Sequence, residues 1–449
     1  MNIYIEVEVY NREFKSRLLL GYYAAIKGFK VIIGSRDEIF KLALKNSIPP
    51  GIIHLKDANS SDYMCKILKK LNDLKFKITA QDEEAGLPYD DYNEFIKRRF
   101  SNGKAFEYID NFYCFGKWDR NALINKYKKK IFKITGSPRF DIAKKEFFSE
   151  KKENFLKKFN LRNYILFSSN IQYSINNNRS FIEQLKSRID VNENDERLKA
   201  YKQDNLFIKT IQNLEVLKEI IVILKKLSIE FENFDIVIRP HPNEEIDTWK
   251  FLLQKDYKNI RIIKEDTLSK FINYSEILLH SGCTAAIESA LNKTPVISFE
   301  HKKFEDAYDR DFCNSIGEKA KNFEDISNII KNFASKQSAI EQVSSEFKDR
   351  IYNYDNKISS SECIVSFWEN LIDQNNYKYL KLNKLIFHLK NIKKIIRYLI
   401  RKKSKKNGKF PEILIKDLNN YHKEFIIFEN KFSNIKYKIL DSNLLYLSK

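Results

Sequence analysis

The sequence predicts an α/β protein of two successive doubly wound domains with a basic appendage, and three observations predict it. Short apolar runs alternate with amphipathic helical patterns from residue 2, and the alternation starts afresh after residue 163. Strands separated by helices pair in parallel, since a parallel crossover needs a dozen or more residues and a helix supplies them. The polar clusters follow the strands, which is where open parallel sheets bind ligands. At 449 residues the chain is also too long for one comfortable core.

In chain order, "NIYIEVEVY" is a strand and "REFKSRLLLGYYAAIKG" a helix that stops at Gly28. "KVIIGS" is the next strand, and Ser35 with Glu38 has the spacing of a capping box for the helix after it. "GIIHLK", "FKITAQ", "NFYCFGK" and "IFKITGS" continue the series, so the first domain is expected over residues 1–148. "NYILFSSN" opens the second, expected over 163–372. A polar insertion over roughly 173–205 reads as a long loop or loose helix. "LFIKTIQNLEVLKEIIVILKKL" is a long helix, and "FDIVIRP", "IRIIKE", "EILLHSG" and "TPVISFE" are four strands. The remainder, 373–449, reads as a basic helical extension.

Hydrophobic content of 43% and aromatic content of 14% exclude a chain disordered throughout. Five scattered cysteines without a CxxC pair argue against a disulfide framework or zinc site and for a reducing compartment. The first strand begins at Ile3 without a signal-peptide pattern, and no apolar run is long enough to span a bilayer, so a cytoplasmic protein is expected. The formal charge of +20 is concentrated: residues 374–411 hold 13 Lys or Arg and no Asp or Glu. Within that stretch, 377–406 is expected to touch an anionic membrane surface. Nucleic-acid binding would instead interleave basic and aromatic residues across a domain, so no nucleic-acid partner is expected.

Three strand-end clusters carry the candidate chemistry. In "QDEEAGLPYDD", Asp82, Glu83 and Glu84 follow a strand, and mutual repulsion among three carboxylates can raise one into the range of a general base. A solvated acidic turn is the plainer account of that stretch. In "FDIVIRPHPNEEID", Pro240 and Pro242 stiffen the backbone around His241, and Arg239 stands beside it. A held imidazole and a guanidinium suit a phosphate, while Glu244 and Glu245 read as the first turn of the next helix. In "ILLHSGCTAAIESALNKTPVISFE", a strand runs through His280, Ser281, Gly282, Cys283 and Thr284 into a small-residue helix. Hydroxyls beside free helix N–H groups make an anion site, and Glu288 lies one turn in, placed for ribose hydroxyls. Ser168, Ser169 and Asn170 end the first strand of the second domain and add donors. Arg12 and Glu13, the turn "TGSPRFD" and an Asp-Arg-Asp at 309–311 are weaker signals, and there is no Walker A loop, GxGxxG or GxSxG.

Together "DEEAG", "RPHP" and "HSGCT" resemble motifs of the GT-B glycosyltransferases that use CMP-activated ulosonic sugars, among them bacterial sialyltransferases and Kdo transferases. "NREF", "TGSPRFD" and "SALNKTPVISF" extend the resemblance to bacterial surface carbohydrate (capsule and lipopolysaccharide) biosynthesis proteins over residues 3–370. The resemblance implies a GT-B-like fold whose two Rossmann-like domains face a cleft. It implies His241 and Arg239 at the donor phosphate, Ser281, Gly282 and Thr284 as further donors, and one of Asp82, Glu83 or Glu84 as the base for an acceptor hydroxyl. An alanine separates the acidic run from Gly86, a departure from the family pattern that leaves the choice among those carboxylates open. The implied partners are a nucleotide-sugar donor and a glycan or lipid-linked acceptor at the inner face of the membrane, with neither metal nor cofactor. Competing readings are a UDP-sugar 2-epimerase or UDP-dependent transferase, a polyol-phosphate polymerase of the teichoic-acid type, and a non-catalytic adaptor.

Overall fold

A computed structural model describes residues 1–83, 87, 91–100, 102–171, 206–241, 244–254, 257–301, 311–335, 344–354, 358–371 and 413–449. The chain divides into two compact units. One comprises Met1–Glu83, Asn102–Asp141 and Asp355–Lys449, the other Glu84–Ser101 and Ile142–Tyr354.

The first unit is built on an eight-stranded sheet. Six strands are parallel: β1 (Asn2–Val7), β2 (Lys30–Ser35), β3 (Ile52–Leu55), β4 (Lys77–Gln81), β5 (Asn111–Cys114) and β6 (Phe132–Ile134). The remaining two, β13 (Lys436–Asp441) and β14 (Leu444–Ser448), give the order β13-β14-β2-β1-β3-β4-β5-β6. The parallel strands are apolar almost throughout because helices cover both faces, so alternation is lost. The helix Asp62–Asp73 shows how the covering works: Met64, Cys65, Leu68 and Leu71 form its buried stripe, and Ser61 caps it by accepting from the Met64 N–H. Ser35 does precede the helix Arg36–Leu44 in extended backbone, but its side chain makes no cap hydrogen bond.

The second unit holds a six-stranded, all-parallel sheet in the order β12-β11-β10-β7-β8-β9. Its strands are β7 (Tyr164–Ser168), β8 (Asp235–Arg239), β9 (Ile260–Ile262), β10 (Ile277–His280), β11 (Val296–Phe299) and β12 (Glu318–Ala320). Alternate residues feed two cores. Ile165, Phe167, Ile236 and Ile238 pack with Trp249 on one face; Tyr164, Leu166 and Val237 pack with Phe271 on the other.

The structure corrects the expected boundaries. The first unit ends at Asp141 rather than 148, since the helix Lys152–Phe159 serves the second core, where Phe155 meets Phe271 and Tyr274 at ring centroids of 5.0 and 4.5 Å. The chain then returns to the first unit well before residue 372. Asp141 accepts from the N–H groups of Ser360 and Ser361, 3.0 Å each, and so caps the helix Ser360–Leu371. That helix buries Trp368, whose indole N–H donates to Thr79 Oγ1 at 3.1 Å. The Asp of "TGSPRFD" therefore has a structural use within the first unit.

The last stretch is also corrected. After the helix Ile415–Phe428 and a 3-10 turn at Asn430–Asn434 it forms the β13–β14 hairpin, with β14 antiparallel to β2 through Leu445 and Ile33. Leu444, Leu445 and Leu447 are buried there. Gly34 is required by this approach, because a Cβ would come within 2.7 Å of the Asn443 carbonyl oxygen. Tyr22 is enclosed by Phe425 and Phe432 and hydrogen-bonds His422 at 2.8 Å. The basic stretch 377–406, the insertion at 173–205, and Asp309 with Arg310 lie outside the described residues. Among the described residues no helix is long and apolar enough to cross a membrane.

Candidate functional site

In the second sheet the chain runs from β7 outward through β8 to β9, then comes back to place β10 on the other side of β7. The strand order thus reverses between β7 and β10, and at such a point the connections leave in opposite directions and open a crevice beyond the carboxyl ends. The sequence puts its polar clusters there. Asn170, just past β7, donates from Nδ2 to the Gly282 carbonyl at 3.1 Å, and Ser168 Oγ lies 3.4 Å from Cys283 Sγ.

The turn after β10 is shaped by Gly282, whose φ of 66° lies in the left-handed region. Its N–H donates to Asn314 Oδ1 at 2.7 Å, so it is already engaged. The helix Ala285–Asn292 starts at once, and the N–H groups of Thr284 and Ala285 find no acceptor among the described residues. Those two donors, with the helix dipole behind them, are what an anion would meet. Ser281 Oγ is 3.3 Å from His301 Nδ1, and His301 Nε2 is 2.7 Å from Gln212 Nε2. Cys283 and Glu288 are buried, and Glu288 accepts from Ser269 Oγ at 2.7 Å, an internal partner in place of a ribose.

His280 sits under the turn, fully buried, its Nδ1 accepting from the Cys283 N–H at 3.3 Å. Burial pushes its pKa down to about 4. An unfolded histidine takes a proton near pH 6.5, so between that pH and about 4 the unfolded chain binds more protons than the folded one. The stability involved is fully present above 6.5 and is lost as pH falls through the window, by on the order of 3 kcal/mol in all. Urea unfolding of wild type and His280→Asn between pH 7 and 4 is expected to show a shallower acid loss in the variant; parallel curves would remove His280 as the source.

Glu244 organises the opposite wall. It is 1% exposed and accepts four hydrogen bonds: from Ser169 Oγ (2.9 Å), the Ile171 N–H (2.7 Å), the His241 N–H (3.2 Å) and the Trp249 indole N–H (2.9 Å). Its own N–H donates back to the His241 carbonyl at 2.8 Å. Burial raises its pKa while the four donors pull the other way. The helix begins only at Ile246, so Glu244 is not in its first turn as the sequence suggested; it ties the ends of β7 and β8 together and fixes the backbone that carries His241. His241 is half-buried, and Pro242 lies outside the described residues.

Arg239 is employed elsewhere. Its guanidinium donates to the carbonyls of Glu265 (2.5 Å) and Asp266 (2.9 Å) and stacks over Phe271 at 4.4 Å. Burial lowers its pKa to about 10. Its alternation on β8 places it with Val237 over the second core. The expected pairing with His241 on one phosphate is corrected because the guanidinium is turned to the Glu265 and Asp266 carbonyls and Phe271, while His241 lies beyond the end of the strand.

In the first unit Asp82 and Glu83 are both buried beyond β4, and Glu84 lies outside the described residues. Glu83 is ion-paired with the buried Arg17, whose other arm is 2.5 Å from His54 Nε2. His54 Nδ1 reaches Thr79 Oγ1 at 3.0 Å, and burial first, then the charge of Arg17, holds the imidazole well below its usual pKa. The first sheet reverses its strand order between β1 and β3, and charge pairs close that point: Arg36 on Glu6 at 2.6 Å, and Lys56 with Glu8. Arg12 and Glu13 pair beside it at 3.0 Å. Among the described residues no three His, Cys, Asp or Glu side chains gather as a metal site.

Gln212, His301 and Asn314 were not singled out from the sequence. His301 and Asn314 meet the Ser281–Gly282 turn, and Gln212 meets His301, only through the tertiary fold.

No known protein family matches the chain by sequence, and no curated protein does. Solved structures with some likeness include the UDP-GlcNAc 2-epimerase of Methanocaldococcus jannaschii in complex with UDP-GlcNAc and UDP, at 14% identity and a TM-score of 0.49, covering 82% of this chain and 100% of that one. S. aureus MnaA with UDP follows at 14% and 0.48, covering 85% and 99%. Anabaena Alr3699/HepE with UDP-glucose stands at 7% and 0.44, covering 83% and 100%.

Proposed function

We propose that the chain acts on a nucleotide-activated sugar, with the second unit holding the nucleotide's phosphate beyond β7 and β10. The observation that carries this reading is the first turn of Ala285–Asn292: two backbone donors with no acceptor among the described residues, set at the reversal of strand order. Glu244 supports it by holding the His241 backbone from both sides. The finer reading is glycosyl transfer, from a CMP-linked ulosonic donor to a surface-glycan acceptor. As the bond to the sugar breaks, negative charge grows on the departing phosphate, and fixed donors there favour the transition state over the ground state. Arg239 is omitted from this set because its guanidinium is turned to the Glu265 and Asp266 carbonyls.

A specific observation favours a second reading. Transfer requires a base for the acceptor hydroxyl, yet the Glu83 carboxylate is buried and already engaged by the Arg17 guanidinium. Chemistry confined to the nucleotide sugar, such as epimerisation of a UDP-sugar, needs no acceptor base.

Thermal-shift measurements with CMP, UDP, CDP and their sugars test both readings, because a ligand that binds only the folded state raises the melting temperature. Stabilisation by CMP is expected for ulosonic transfer; stabilisation by UDP alone moves the assignment to the second reading, and no response to any nucleotide would sink the proposal. His241→Ala is expected to keep the wild-type melting temperature without nucleotide and to lower turnover about 100-fold, within the range for a positioned acid or base. Full turnover in that variant removes His241 from the site.

A further inference from the structure

The first unit carries a feature that the reading above does not use. A cavity of about 610 Å³ opens beside β6, the edge strand of the eight-stranded sheet. Phe132 and Phe367 give it an apolar lining, and Arg120, Lys128, Lys130 and Lys133 stand around it. A fifth cation, Lys129, also lines it and donates to the Phe106 carbonyl at 3.1 Å. No carboxylate lines the cavity, and none of the five cations has a carboxylate partner among the described residues.

Local physics accounts for part of this. Lys128 closes the helix Lys117–Tyr127 at a φ of 53°, where a cation suits the negative end of the dipole. A lysine on an edge strand, as Lys133 is, discourages pairing with other sheets. Neither effect calls for five cations around one apolar cavity, where they repel one another unless an anion joins them. Arg120 uses Nε on the Phe132 carbonyl at 3.3 Å, which leaves its terminal nitrogens for such an anion.

The neighbouring sequence says what kind. Phe367 lies one turn from the end of the helix at Leu371, and three residues after Leu371 begins the stretch 374–411, with 13 Lys or Arg and no acid. Cations beside apolar side chains suit an amphiphile with an anionic head, and adjacent polybasic sequence suits a surface of many such heads.

We propose that this face of the first unit docks on anionic phospholipid, with one headgroup phosphate seated among Arg120, Lys128 and Lys133. The docking is independent of which nucleotide the second unit takes.

The test is co-sedimentation of the full chain with vesicles of about three parts phosphatidylcholine to one part phosphatidylglycerol, against phosphatidylcholine alone, at low and high salt. Wild type is expected to bind only the anionic vesicles, and less at high salt. Lys128→Ser/Lys130→Ser/Lys133→Ser, with residues 374–411 intact, is expected to bind about 100-fold more weakly, near fivefold for each lysine. The all-arginine counterpart is expected to keep binding. If the serine triple variant melts early, Lys128→Ser/Lys130→Ser spares the edge strand and is expected to lose about 30-fold by the same increment. Undiminished binding by a folded variant overturns the proposal, as does equal binding to neutral vesicles. Stabilisation by inorganic phosphate without vesicle binding overturns it too, because the cavity would then serve a soluble anion.

Discussion

Glu244→Ala is expected to lower the melting temperature of the second unit by about 10 °C and to abolish its response to nucleotide. The carboxylate serves four donors, three of them reaching it at 2.7 to 2.9 Å, in a place that water does not enter. Each buried donor left without an acceptor costs about 1–3 kcal/mol, so the sum is on the order of 4 kcal/mol even at the low end. For a domain of this size each kcal/mol shifts the melting temperature by about 2–4 °C. Glu244→Gln keeps one acceptor oxygen but turns an NH2 toward the donors, so it is expected to fall between wild type and alanine. Thermal melts with and without nucleotide read both effects. A loss below about 1 kcal/mol would show that the loops beyond β7 and β8 stand without this hub.

Arg17→Met is expected to destabilise the first unit by about 3–5 kcal/mol, since it leaves Glu83 as a buried charge without its partner. The double variant Arg17→Met/Glu83→Leu is expected to recover much of that loss, because a well-packed apolar pair avoids the desolvation that the ions suffer. Urea unfolding of the two single variants and the double variant gives the coupling directly. Additive losses would mean the two side chains act separately. The same cycle bears on function: if Glu83→Gln keeps turnover, Glu83 is a structural partner of Arg17 and the base lies elsewhere.

The repeating strand–helix rhythm was legible because buried parallel strands such as "YILFS" and "DIVIR" are continuous apolar runs bounded by polar residues. The clusters at the ends of β7, β8 and β10 were legible for the same reason, since position after a strand is a one-dimensional fact. Side-chain direction was not. Arg239 and His241 look like one phosphate site when read along the chain, yet Arg239 turns to Phe271 and the loop carbonyls. Glu244 looked like a helix-end acid because nothing in the sequence reveals that Trp249 and Ser169 point back at it. The closing hairpin was missed although "ILDSNLLYL" carries turn residues between apolar runs, because the basic stretch before it dominated the reading of the tail.

That hairpin bears on the order in which the molecule is assembled. β14 supplies the neighbour of β2, yet more than four hundred residues separate Ile33 from its partner Leu445, and the whole of the second unit is threaded between. Contacts so distant in sequence are slow to form, because the intervening chain must be gathered first. During synthesis, domains mature as they emerge. The inserted unit therefore has all of its strands available while β2 still shows an open edge, and the unit that starts first finishes last.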